Sequence, residues 1–185
     1  NQSKAFSYLN FFLFFSFAIL FSRITLNIHI GLPLHFDEAQ YWDWSQNLDW
    51  GYFSKPPLLA FLIRVVTELC GNGESCIRSL SPFLHFLTSS IICYSVYLLT
   101  KSFKKALLGF FLYLLMPGIS FSSFLISTDV PLLFFSSLIA LCIVKIFNSN
   151  KNTFLLFCLI GLFFALGFLS KYAIFYLLLS FLFST

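Results

Sequence analysis

The sequence predicts an all-α protein, a polytopic bundle of transmembrane helices with short interfacial helices in its first non-cytoplasmic loop. Three observations predict it. The 185 residues are 59% hydrophobic and only 10% charged, with a mean hydropathy of +0.90, where a soluble domain carries roughly 25% charged residues. The apolar residues fall into runs close to the ~20 residues that cross a bilayer as helix. One stretch, residues 35–59, breaks the pattern: it holds four of the seven acidic residues, all three tryptophans and the sole Pro-Pro pair.

Residues 5–22 form the first apolar run, after Lys4 and before Arg23. It is longer than a signal-peptide core and lacks a small-residue cleavage site, so it reads as a retained span. A polar insert follows, over residues 23–79. Within it, residues 37–48 lack Pro and Gly and suit a short surface helix. Spacings of four and seven put Asp37, Tyr41, Trp44 and Leu48 on one face, and Trp and Tyr favour the headgroup level. Lys55 precedes Pro56-Pro57, which restricts it to extended backbone and lets Pro57 open a second short helix over residues 57–69. There Arg64 and Glu68, four apart, can pair. Cys70 and Cys76 flank a Gly-rich loop. A disulfide is open to them if that loop faces an oxidising compartment.

Residues 80–100 form the second span, with Pro82 in its first turn. The basic loop 101–105 leads to a third span, 106–125, kinked at Pro117-Gly118. Thr128 or Asp129 can cap the fourth span, 130–147, with Pro131 in its first turn. The polar loop 148–152 contains Lys151. Residues 153–169 form the fifth span, and Ser170-Lys171 separates it from a sixth run over 172–185. Cys93, Cys142 and Cys158 sit in apolar runs, where a thiol behaves as a small hydrophobe. The chain starts at Asn1 and stops inside an apolar run, so it is expected to be the N-terminal part of a longer transmembrane domain.

Cytoplasmic loops collect Lys and Arg. Lys4, the 101–105 loop and the 145–151 region alternate with the insert, the 126–130 turn and Lys171. The first set should be cytoplasmic. All seven acids (Asp37, Glu38, Asp43, Asp49, Glu68, Glu74 and Asp129) then face the other side, with Lys55 and Lys171. One membrane face collects carboxylates and lysines, as a reaction or binding site would. No basic stripe accompanies the phenylalanines, which excludes a nucleic-acid surface. No Gly-rich phosphate loop, serine nucleophile elbow or Cys-x-x-Cys is present. An activated donor would arrive in the lipid phase.

Asp37-Glu38 is the sharpest pair. Two carboxylates at a helix start can simply favour the positive end of the dipole. They can also supply a general base or a metal ligand, because a carboxylate near apolar surface becomes a better base. Asp129, between two apolar runs, reads as a cap or a functional acid. Lys55 in its rigid turn beside Tyr52 suits a lipid phosphate, against the simpler reading of snorkelling. Lys171 poses the same choice. His35 lies near Asp37, and Arg78 reads equally as a headgroup anchor or a ligand contact. His29, His35 and His85 lack a metal-ligand spacing.

The order of these motifs (one span, Asp37-Glu38, Gly51-Tyr52-Phe53-x-Lys55-Pro56-Pro57, then Thr128-Asp129-x-Pro131) resembles the N-terminal part of a GT-C glycosyltransferase. It is similar to the family 39 protein mannosyltransferases and to the bacterial lipid A aminoarabinose transferases, from residue 5 onward. The resemblance implies Asp37 as the catalytic carboxylate with Glu38 beside it. It implies Lys55 on the polyprenyl phosphate with Tyr52 nearby, Asp129 lining the same cavity, and Lys171 facing the phosphate. Tyr172 replaces a Gly of the aminoarabinose enzymes, Gln40 an Arg, and Ser54 a metal-holding Glu. The metal is therefore left unknown; no cofactor beyond an optional divalent cation is implied.

The expected function is transfer of a sugar from a polyprenyl-phosphate donor to a lipid, glycan or protein acceptor, with inversion, on the non-cytoplasmic face of a bacterial inner membrane. Membrane lipid is a further partner. The fragment alone should be inactive, with acceptor recognition beyond it. The competing readings are a transporter or flippase subunit using outer-face carboxylates, and a structural membrane protein with an interfacial clamp.

Overall fold

The computed structural model describes residues 2–148 and 153–182. The loop carrying Lys151 and the end of the sixth run lie outside the described residues. Among those described there is helix and no strand: α1 Gln2–Ile30, α2 Phe36–Gln46, α3 Leu58–Cys70, α4 Glu74–Thr100, α5 Phe103–Leu115, α6 Pro117–Ser122, α7 Asp129–Phe147, α8 Phe154–Ser170, a 3-10 turn Tyr172–Ile174 and α9 Phe175–Leu182.

α4 is the central helix and packs against α1, α3, α5 and α7, while α8 packs on the far side of α7. α4 and α7 are long and apolar enough to cross a membrane, and only 22% and 33% of their apolar windows are buried inside the protein. A core helix of a soluble domain would be mostly buried. These two turn apolar surface outward, as lipid contact requires. Phe14–Ile30 and Phe154–Ser170 are shorter apolar segments. The protein is an integral membrane protein.

Four elements depart from the sequence reading. α1 does not stop at Ser22. Residues 23–30 contain no Gly or Pro, and the helix runs on until Gly31, whose φ of +56° ends it, a conformation that glycine adopts without steric cost. The insert therefore begins at Gly31. α4 starts at Glu74, so Pro82 lies inside the helix and not in its first turn. The third span is not a kinked helix. It breaks at Met116 into α5 and the short α6, because Pro117 cannot continue the backbone ladder and instead opens a new helix at its first position. At α7, Thr128 holds the cap position without a side-chain cap hydrogen bond, and Asp129 is the first helical residue.

The break between α5 and α7 exposes carbonyls that lipid cannot satisfy. Neighbouring helices supply the donors. Arg23 Nη2 donates to the Leu114 carbonyl (2.5 Å) and to Ser120 Oγ (3.1 Å), and its Nη1 to Ser123 Oγ (2.9 Å). Asn27 donates to the Ser123 carbonyl (3.3 Å) and Ser81 to the Ser122 carbonyl (2.6 Å). His85 joins Tyr113 and Ser122, both at 3.0 Å. Arg23 is thus an internal brace, buried at the centre of the bundle.

The other small core lies under the insert. Tyr41, Leu59, Ile63, Ile77, Leu80, Leu84, Ile126 and Val130 pack together, drawn from α2, α3, α4, the 123–128 turn and α7. It holds the insert against the first turns of α4 and α7. A disulfide between Cys70 and Cys76 closes the turn from α3 to α4. Arg64 and Glu68 pair at 2.7 Å on the exposed edge of α3.

Candidate functional site

α2 starts where Pro33 and the extended His35 hand over to Phe36, a stretch with no local reason to stay helical. Its first turn carries Asp37 and Glu38, and the two side chains go opposite ways. Glu38 turns inward and is 2% exposed. Its Oε2 accepts from Arg78 Nη2 (2.6 Å) and the His35 N–H (2.9 Å). Its Oε1 accepts from Arg78 Nε (3.1 Å) and the Ile126 N–H (2.9 Å). Arg78 also donates to the carbonyls of Leu32 (2.8 Å) and Pro33 (2.9 Å). Burial pushes the Glu38 carboxyl up. The Arg78 hydrogen bonds, the two backbone N–H groups and the Arg78 charge outweigh burial together, so its pKa lies below the ordinary value. Arg78 and Glu38 tie the start of α2, the start of α4 and the 123–128 turn into one unit.

Asp37 is exposed. One helical turn on, Tyr41 is 4% exposed in the core. Burial raises its pKa first, then the charges of Asp37 and Asp129, against a hydrogen bond with Thr128 that lowers it. The phenol therefore stays protonated at neutral pH. It also means that two acids far apart in sequence both lie near one tyrosine. Asp129 in turn accepts from Lys171 Nζ at 2.7 Å, a pair that stays partly exposed. Ser170 donates to the Thr128 carbonyl (2.8 Å), which pins the end of α8 to the start of α7. Lys171 itself is extended, with φ −157° and ψ 132°, and its backbone leaves the helix there.

The 47–57 loop is rigid for local reasons. Tyr52 stacks on Trp44 with ring centroids 4.5 Å apart and planes within 4°. Its hydroxyl donates to the Trp44 carbonyl (2.9 Å) and accepts from the Asp49 N–H (3.1 Å). The Tyr52 N–H donates to the Lys55 carbonyl (3.2 Å), and Pro56 and Pro57 are buried behind it. Tyr52 thus props the turn that carries Lys55. The Lys55 side chain is half-buried and, among the described residues, has no ion pair.

The structure thus brings Asp37 and Asp129 close enough for their charges to act on Tyr41, with Lys171 paired to Asp129. Glu38 is committed to Arg78, and Lys55 stands on the neighbouring turn without a polar contact to the other three. Sequence reasoning placed Tyr41 on the Asp37 face without giving it a role. It left Arg78 between two surface readings, because a partner forty positions away leaves no local signal. Among the described residues no group of three His, Cys, Asp or Glu could hold a metal.

Chemically, the cluster offers, among the described residues, one unpaired accessible carboxylate, one protonated phenol, and ammonium groups that can meet an anion. A model of the family described as dolichyl-phosphate-mannose-protein mannosyltransferase matches residues 54–184, which takes in Lys55, Asp129 and Lys171 and begins after Asp37. The lipid A galacturonosyltransferase RgtD of Rhizobium johnstonii is 40% identical over 126 residues, covering 67% of this chain and 26% of that protein. The chain thus spans about a quarter of the length of this curated relative. No solved structure matches.

Proposed function

The chain belongs to the dolichyl-phosphate-mannose-protein mannosyltransferase family, and from that premise we propose that it is the N-terminal part of a membrane glycosyltransferase with a polyprenyl-phosphate sugar as donor. Asp37 takes the proton of the acceptor hydroxyl as its oxygen attacks the anomeric carbon. The bond from that carbon to the phosphate oxygen breaks, and the electron pair leaves with the polyprenyl phosphate. Lys171 and Lys55 carry the charge of the departing phosphate, so no strong acid is needed. Tyr41, kept protonated, and Asp129 hold the floor of the site. The reaction runs on the non-cytoplasmic face of a bacterial inner membrane, where the acids gather. The likeness to a lipid A galacturonosyltransferase favours a lipid A-type glycolipid as acceptor and a uronic acid as the sugar.

The single observation that carries this reading is the placement of Asp37 and Asp129 about the buried Tyr41, with Lys171 on Asp129. It is tested on the full-length protein in liposomes, with polyprenyl-phosphate galacturonate and a lipid A acceptor, and with a polyprenyl-phosphate mannose and peptide arm beside it. Wild type should transfer sugar in the first arm. Asp37→Asn should keep its fold and donor binding and lose at least about a hundredfold in turnover, the usual worth of a general base. Wild-type turnover in Asp37→Asn would remove the catalytic assignment. No transfer from any polyprenyl-phosphate donor would remove the function.

A further inference from the structure

At the end of the bundle opposite the acids lies a second feature that sugar transfer does not use. A cavity of about 490 Å³ opens between α1, α4 and α5, lined by Phe12, Ser90, Cys93, Tyr94, Tyr97 and Phe103. It is mostly apolar. The α4 residues among these recur at spacings of three and four, and so form one stripe of the helix. Lys101 caps the cytoplasmic end of α4, where its N–H donates to the Tyr97 carbonyl. Lys104 and Lys105 follow in the first turn of α5 beside Phe103, and all three lysines are exposed. A fourth, Lys145 of α7, places its ammonium 5.5 Å from the centre of the Tyr94 ring. Phe12 packs edge-on against Phe103 and Phe110 and closes the cavity from the α1 side.

No carboxylate answers these four cations. All seven acids of the chain belong to the other end, and none of the described ion pairs includes Lys101, Lys104, Lys105 or Lys145. Lys101 is also the sole non-glycine residue with positive φ among those described, at 52°. Glycine would take that conformation more easily, yet a lysine stands there. We propose that this cavity and its lysine rim are a binding site for one anionic phospholipid of the cytoplasmic leaflet, with the phosphate on Lys101, Lys104 and Lys105 and an acyl chain in the Tyr94–Tyr97 cavity. Charge complementarity sets the occupant. Four unneutralised ammonium groups reject a cationic or neutral partner, and an apolar slot directly beneath them rejects a free phosphate or a soluble acidic protein. General attraction of basic loops to an anionic leaflet needs no slot. Here Phe103, which lines the slot, adjoins Lys104 and Lys105, and Lys101 caps the helix that carries Tyr97.

The inference rests on the membrane orientation proposed above and not on the sugar chemistry. The test uses the full-length protein from nanodiscs containing phosphatidylglycerol and phosphatidylcholine with identical acyl chains. Native mass spectrometry then counts the lipids retained. Wild type should hold one phosphatidylglycerol in preference to phosphatidylcholine. The triple variant Lys101→Gln, Lys104→Gln, Lys105→Gln should lose that preference at least about tenfold, since each lysine near an anionic leaflet is worth roughly fivefold. A second variant, Ser90→Leu, fills the slot and leaves the charges, and should weaken retention of either lipid. Equal retention of the two lipids by wild type overturns the site, as does a preference that neither variant changes. Sugar transfer is assayed separately on the same samples, so loss of the lipid site and loss of the transferase reading are told apart.

Discussion

Asp37 and Glu38 are neighbours with opposite fates. Their types are nearly the same, and the difference comes from where a helical step of 100° points each one. Glu38 meets Arg78 and two backbone N–H groups, and the pair is almost fully buried. Breaking a buried pair from one side strands a charge and costs about 3–5 kcal/mol. Arg78→Met should therefore lower the melting temperature of the purified protein sharply. The double variant Arg78→Met with Glu38→Met should recover part of the loss, because no orphan charge remains. The sign of the pH effect follows from the depressed Glu38 pKa. Its stabilising contribution is fully present above the ordinary glutamate value of ~4.3 and is lost as pH falls through the lower folded value. Melts of wild type and Glu38→Gln across that range should converge at acid pH. Parallel curves would remove Glu38 as the source. Asp37, one residue earlier, keeps an open carboxylate and carries the proposed base role.

The elements that matter most are those that stop in unexpected places. α5 ends early, and the loose carbonyls at its end and at the end of α6 are taken by Arg23, Asn27 and Ser81 from two other helices. α8 ends at Ser170, and the turn that follows is fixed by a close approach. A Cβ added at Gly167 would stand 2.1 Å from Ile174 Cδ1 and 3.5 Å from Phe135 Cβ. Ile174 is 1% exposed, so its side chain must shift within the packed interior. Gly167→Ala should cost about 1–3 kcal/mol by overpacking. It should also weaken donor binding more than it slows turnover, because it moves the turn that sets Lys171. A Gly167→Ala protein with wild-type stability and donor KM would disprove that link.

On the scale of the whole molecule, the fold keeps all seven acids at one end. Carboxylates and the Lys171 pair gather where α1 and α8 end and α4 and α7 begin. Lys101, Lys104, Lys105 and Lys145, none of them in an ion pair among the described residues, gather at the opposite end. The positive-inside rule then orients the chain. In a background with Cys93, Cys142 and Cys158 replaced, Ser54→Cys should react with an impermeant maleimide added to intact cells. Asn148→Cys should react only after the membrane is opened. The reverse pattern would turn the molecule over and place the Asp37 site in the cytoplasm.

Composition and the lengths of the apolar runs were enough to establish an all-helical membrane protein, because burial in lipid constrains every residue type at once. The i, i+4 spacing placed Asp37 and Tyr41 on one face, and Arg64 with Glu68, since those relations are local. The rest was decided by contacts between distant segments. Glu38 and Asp37 were indistinguishable until Arg78 and the Ile126 N–H arrived from elsewhere in the chain. Arg23 read as the edge of a span, yet it sits inside the bundle because a broken helix nearby needed donors. The cluster of Asp37, Asp129 and Lys171 depends on how α7 and α8 dock against the insert. A sequence lists which charges exist, but only packing sets which of them lose water, and that loss of water sorts a brace from a base.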